Sequence, residues 1–216
     1  MKKALSELLG TFLLVFLGTG SIILSEETTF ISASAPAPII GAIVTMLIIV
    51  FGNISGAHLN PAVTLGFYFT GSFSKKEVLP YITSQFVGAT LASFALHLLF
   101  PNNINLGNTI PSASALPSFL LEIALTFFLM IVILILAHGY KESGYLIAVI
   151  VGIIIWLEIK YFGPICGASM NPARSFGPAL MSKNLQYIWM YISGPTIGAI
   201  GASLIFNKTR KQKLVA

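Results

Sequence analysis

Six apolar stretches constrain this chain more than anything else in it: about Leu5–Leu24, Pro38–Gly52, Leu79–Phe100, Phe119–Ala137, Tyr145–Tyr161 and Tyr187–Phe206. A helix rising about 1.5 Å per residue crosses the hydrocarbon of a bilayer in about 20 residues. The stretches lack the strict alternation and close turn spacing of a lipid-facing barrel, so they read as helices. The 216-residue chain is 56% hydrophobic and 9% charged, more apolar surface than a soluble domain of that length can bury. The lipid bilayer is therefore its solvent, and the fold class is an all-α membrane protein. Lys2 and Lys3 begin the chain as a signal peptide would, but the apolar stretch is long and Glu7 and several glycines continue into it. It reads as a retained span. The net charge of +5, with no aspartate, marks cytoplasmic loops in such a protein rather than contact with nucleic acid. The lone cysteine, Cys166, excludes an intrachain disulfide.

Two further apolar segments are too short to cross. Val63–Phe69 is about two helical turns, and its counterpart ends at Met181. Each follows the same tripeptide, Asn60-Pro61-Ala62 or Asn171-Pro172-Ala173. Proline suits the first position of a helix, where its missing N–H would be unpaired anyway, and asparagine is a good N-cap. The segments are read as re-entrant half-helices beside six full spans.

Positive charges set the orientation. With spans alternating from a cytoplasmic N-terminus, Lys2, Lys3, Lys75, Lys76, Lys141, Lys208, Arg210, Lys211 and Lys213 fall inside and Lys183 outside. Both termini are then cytoplasmic, and the plasma (inner) membrane is the expected location. The chain also repeats itself. Glu7, Thr11 and Phe12 recur as Glu122, Thr126 and Phe127; the Asn-Pro-Ala stretches recur; and Tyr81, Gly88, Ala89, Ala92 and Ser93 recur as Tyr191, Gly198, Ala199, Ala202 and Ser203. Each half, 1–108 and 117–216 of one domain spanning 1–216, holds an odd number of spans. The second half must therefore enter from the opposite side, which makes the repeat inverted.

Irregular backbone at membrane depth is tolerated only where protein buries it or it lines a watery cavity, so the half-helices predict a polar path. Two helix N-termini, each worth roughly half a positive charge, would repel cations and protons there. If the Asn60 and Asn171 carbonyl oxygens are engaged by backbone, their N–H groups can face a passing oxygen atom.

These residues resemble the aquaporin and glycerol-facilitator family of major intrinsic proteins over nearly the whole chain. Besides the paired tripeptides, the matches are Glu7 with Gly10-Thr11, Tyr81 with Gln85 and Gly88-Ala89, Glu122 with Thr126-Phe127, Arg174 after the second tripeptide, and Gly194-Pro195. The resemblance implies six spans and two half-helices, one pore per chain and a homotetramer. It also implies a selectivity filter at four positions, which fall on Ile40, Ile159, Ala168 and Arg174. Water-selective relatives carry an aromatic residue and a histidine at the first two. An Ile, Ile, Ala, Arg constriction should be wider and more apolar, resembling the nodulin-like and related bacterial branches. Ser175 and Ala179 depart from the glycerol facilitators, which carry Asp and a basic residue there, while Tyr191-Ile192 again resembles the nodulin-like branch.

The candidate residues also have plainer readings. Asn60 and Asn171 are helix caps whatever else they do. Glu7 and Glu122 are expected to accept hydrogen bonds from unpaired N–H groups of the re-entrant loops rather than couple protons. His58 reads as a satisfied loop residue supporting the first half-helix rather than a titrating gate. Arg174 is expected to line the pore, because a charge at that depth is costly without a function. Cys166 lies close enough to Asn171 that a thiol reagent could block the path. Glu158 and Lys160 interrupt an otherwise clean span, and Lys160 either snorkels outward or adds charge near the filter. The function expected is a passive channel for water and small uncharged solutes (glycerol, urea-sized molecules or neutral metalloid hydroxides) that excludes ions and protons. The alternatives are a strictly water-selective pore and, less favoured because mid-span charge pairs are missing, a gradient-coupled transporter. No metal-ligand spacing and no nucleophile with a positioned base is visible, so neither an enzyme nor a cofactor is expected.

Overall fold

The structure, a computed structural model, describes residues 1–139 and 144–215. Lys141 and Glu142, read as marking a turn, lie outside the described residues. Eight helices follow one another among those described: α1 (Lys2–Glu27), α2 (Pro36–Ser55), α3 (Pro61–Phe69), α4 (Lys75–Leu99), α5 (Ala115–Gly139), α6 (Gly144–Cys166), α7 (Pro172–Met181) and α8 (Ile188–Val215). All except α3 and α7 are long and apolar enough to cross a membrane. The fold is thus six spans with two half-helices. Several spans extend beyond their apolar stretches. α1 reaches Lys2 and Glu27, and α8 runs to Val215, because polar turns continue a helix into water without a hydropathy signal.

Small residues set how closely the spans approach. A Cβ on Gly88 of α4 would overlap the Leu8 carbonyl of α1, and one on Gly198 of α8 would overlap the Ile123 carbonyl of α5. In a bilayer no hydrophobic force draws helices together, so close backbone packing at such glycines supplies much of the association. α2 and α6 meet through Gly41 and Gly152, and the Thr45 hydroxyl donates to the Ala148 carbonyl at 3.2 Å. Each half-helix docks on a span of the other half. Ser203 of α8 donates to the Gly66 carbonyl of α3 at 2.8 Å, while Gly177 of α7 rests against Ala89 and Ser93 of α4. Large apolar side chains such as Leu17, Phe94, Phe128, Ile153 and Ile205 remain exposed on the outer surface, as a lipid-facing wall requires.

Candidate functional site

Both re-entrant segments bend through left-handed backbone. Gly56, Ala57 and Leu59 have φ of 84°, 47° and 50°, and Gly167, Ala168 and Met170 have 87°, 41° and 53°. Four of these six residues are not glycine, so the bends carry strain and persist only where neighbours hold them.

The neighbours are two buried carboxylates. Glu7 of α1 accepts from the backbone N–H of His58 (3.0 Å) and Leu59 (2.6 Å), from the Ser55 hydroxyl (2.7 Å) and from the Gln85 amide (2.8 Å). Glu122 of α5 accepts from the N–H of Ser169 (2.7 Å) and Met170 (2.8 Å). Tyr81 and Tyr191 each donate a 2.7 Å bond to the carbonyl where a bend begins, that of Ser55 and that of Cys166. Backbone groups that lipid would leave orphaned are thereby paired.

The bends deliver Asn60 and Asn171 to one another. Asn60 Oδ1 accepts from the Ala62 N–H at 2.9 Å, and Asn171 Oδ1 accepts from Ala173 and Arg174 at 3.0 and 3.3 Å, so each caps its half-helix. The amides then cross. Asn60 Nδ2 donates to the Met170 carbonyl at 2.7 Å, and Asn171 Nδ2 donates to the Leu59 carbonyl at 2.8 Å. A carboxamide has two N–H donors, so one on each asparagine remains for a further partner. α3 and α7 meet here with their positive ends toward each other.

A cavity of about 980 Å³ reaches both asparagines from the end of the bundle where α1 and α4 begin and α5 stops. Leu14, Val44, Val63, Leu129, Val151 and Ile155 give it an apolar wall. His58 lies on its flank, enclosed by Phe67, Phe73 and Tyr81 with ring centroids 4.7 to 5.2 Å away, and its Nδ1 pairs with the Thr64 hydroxyl at 3.2 Å. Lys3 and Glu77 form a 2.9 Å ion pair at the mouth.

The four positions assigned to a filter do not line that cavity; they lie elsewhere in the bundle. Ile159 packs against the cluster that holds Ala168, Leu125 and Val151. Ile40 is buried on α2 opposite Gly18 of α1. Arg174, half-buried in the first turn of α7, donates through Nη1 to the Thr109 hydroxyl. Thr109 was missed by sequence reasoning, because it sits in an aperiodic loop with only the polar character of its neighbours to mark it. Glu158 is buried, and neither carboxylate oxygen finds a hydrogen-bond partner among the described residues. Lys160 is exposed, with Nζ 5.2 Å from the Tyr161 ring centre, within cation–π range of that ring. Among the described residues no group of three His, Cys, Asp or Glu side chains is placed to hold a metal ion.

Comparison with known proteins agrees with this architecture. The model of the major intrinsic protein family matches residues 1–206. The chain is similar to aquaporin NIP1-1 of Zea mays, 39% identical over 97% of this chain and 75% of the relative, and to nodulin-26 of Glycine max, 37% identical over 97% and 78%. In structure it is similar to the aquaglyceroporin from Plasmodium falciparum, with a TM-score of 0.86, 27% identity, and coverage of 96% of this chain and 95% of that one. With paired Asn-capped half-helices, a carboxylate behind each bend and a family match over nearly its full length, this chain belongs to the major intrinsic protein family.

Proposed function

We propose that the protein is a passive channel through which water and small uncharged solutes cross the membrane, with no covalent chemistry. The observation that carries this reading is the crossed asparagine pair at the end of an open cavity. Capping fixes each carboxamide so that its remaining N–H can donate to an oxygen atom in transit. The facing half-helix ends oppose cations at the same point, which favours neutral permeants and excludes protons.

In this reading Asn60, Pro61, Ala62, Asn171, Pro172 and Ala173 form the midpoint of the pore. Glu7, Glu122 and His58 support the loops. Ile40, Ile159, Ala168 and Arg174 form the constriction on the side away from the cavity. With two isoleucines and an alanine beside the one arginine, its composition favours glycerol, urea-sized solutes or neutral metalloid hydroxides alongside water. The printed names of the relatives, aquaporins and an aquaglyceroporin, support that breadth. The positive residues favour a plasma (inner) membrane orientation with cytoplasmic termini, and the family favours a homotetramer with one pore per chain.

The test is osmotic swelling of vesicles carrying the purified protein, challenged in parallel with an impermeant osmolyte, glycerol, urea and a neutral metalloid hydroxide. Water and glycerol flux above empty vesicles, unaffected by a proton or sodium gradient, is expected. Absence of flux for every permeant would sink the proposal, and flux of water alone would narrow it to a water-selective pore.

A further inference from the structure

Glu158 has no part in the site described above. It lies inside the span α6, 5% exposed, and neither carboxylate oxygen has a hydrogen-bond partner among the described residues. Glu7 and Glu122, the other buried glutamates among those residues, each take two or more donors. An unpaired carboxyl at this depth is costly and needs a cause.

The position of Glu158 supplies one. Val151 and Ile155 of α6 line the cavity, and Glu158 follows them at intervals of four and three residues, the spacing that keeps side chains on one helix face. α6 begins at the cavity with Gly144 and Tyr145 and runs inward, so Glu158 stands one turn past Ile155, the last α6 residue that the cavity reaches. A different face of α6 meets α2, where Gly152 and Trp156 pack on Gly41 and the Ala148 carbonyl accepts from Thr45. α2 carries no titratable side chain, and the acid that α5 brings to this level, Glu122, is itself an acceptor for the Ser169 and Met170 N–H groups. Lys160 is exposed beside the Tyr161 ring. With no donor from these neighbours, the Glu158 carboxyl is left to molecules in the path.

We propose that Glu158 is a permeant-contact residue, whose carboxyl oxygens accept hydrogen bonds from the O–H or N–H groups of solutes crossing the half of the pore beyond the asparagines. It favours uncharged permeants with several donors, such as polyols, urea-like amides and metalloid hydroxides. The proposal rests on the channel reading. Water in file keeps neighbouring waters as partners, whereas a polyol fills the bore, leaves most of its water behind and depends on acceptors in the wall. Of the four positions assigned to the filter, Ile40, Ile159 and Ala168 have no side-chain acceptor, and Arg174 can only donate. Glu158 adds the acceptors that this set lacks.

The experiment compares wild type, Glu158→Leu and Glu158→Gln in vesicles, with water and glycerol permeability read on the same preparations and thermal unfolding read in detergent. Glu158→Leu is expected to lower the glycerol-to-water ratio about fivefold, the effect of losing one hydrogen bond of ordinary net strength. Its unfolding temperature should stay at or above that of wild type, because no hydrogen bond within the protein is lost. Glu158→Gln keeps an acceptor oxygen and should hold the ratio within about twofold. An unchanged or raised ratio in Glu158→Leu, or an equal fall in Glu158→Gln, overturns the proposal. An unchanged ratio with a lowered unfolding temperature assigns the residue a purely structural role instead. If Glu158→Leu fails to fold, Glu158→Met is read in its place by the same ratio. Wild-type vesicles without flux would remove the channel reading itself, a result distinct from an unmoved ratio in a working pore.

Discussion

The two re-entrant bends have nearly the same backbone and very different supports. Their φ values agree within about 10° position by position. Glu7, however, gathers two backbone N–H groups, a serine hydroxyl and a glutamine amide, whereas Glu122 takes two backbone N–H groups. The difference lies in single residues. Where the first half has Ser55, the second has Cys166, whose sulfur turns back to the Phe162 carbonyl at 3.4 Å. Where the first has Gln85, the second has Pro195. Where the first has His58 packed among aromatic rings, the second has Ser169, whose hydroxyl meets that of Ser175, which in turn meets Thr109, the partner of Arg174. One side chain network is spent on holding its own bend. The other also reaches the residue closest to the second tripeptide that carries a charge. A shared fold therefore tolerates unequal roles in its halves as long as each bend keeps its N–H acceptors.

The sharpest way to break this comparison is to neutralise the two carboxylates separately. Glu7→Gln turns one acceptor oxygen toward donors as an amide in a fully buried network. It should destabilise by about 3–5 kcal/mol, because two of the donors lose their acceptor and face an N–H group instead. Glu122→Gln disturbs a smaller set and should cost about 1–3 kcal/mol. Thermal unfolding in detergent reads the order of the two, and equal shifts would show that the extra bonds to Glu7 add nothing. Where the halves are alike, their variants should agree. Gly88→Ala and Gly198→Ala each drive a methyl into a facing carbonyl and should each lose about 1–3 kcal/mol in the same assay, within about 1 kcal/mol of one another. The smallest effect tests whether the asymmetry can be repaired. Cys166→Ser restores to the second bend the hydroxyl that Ser55 gives the first, and should stabilise by no more than about 1 kcal/mol. A clear loss of stability would mean that the thiol packs in a way a hydroxyl cannot.

How much of this was legible in the sequence depended on what kind of group carries each feature. The six spans were visible because burial in lipid imposes long apolar runs, and the half-helices because Asn-Pro opens each of two short ones. The ends of α1 and α8 were not, since helical polar turns in water have no such mark. At the site, Glu7 and Glu122 stood out as charges inside apolar runs. Their partners, and the Met170 and Leu59 carbonyls that receive the asparagine amides, are backbone atoms of residues whose side chains give no hint. Thr109 was invisible for another reason: its role is set by a contact 65 residues away in the chain. Glu158 stood out at once as a charge in an apolar run, and the structure buries it without supplying a partner among the described residues.

The crossed asparagine amides have a mechanical consequence. Each half of the molecule is pinned at its tip to the backbone of the other, by two bonds of opposite sense. A carrier that rocks one half against the other must part its centre on every cycle. Here that motion would break both bonds together and leave four polar groups to find new partners at once. The centre is a weld and not a hinge. Traffic through such a body needs no change of shape, and its rate would follow from the height of fixed barriers along a standing path.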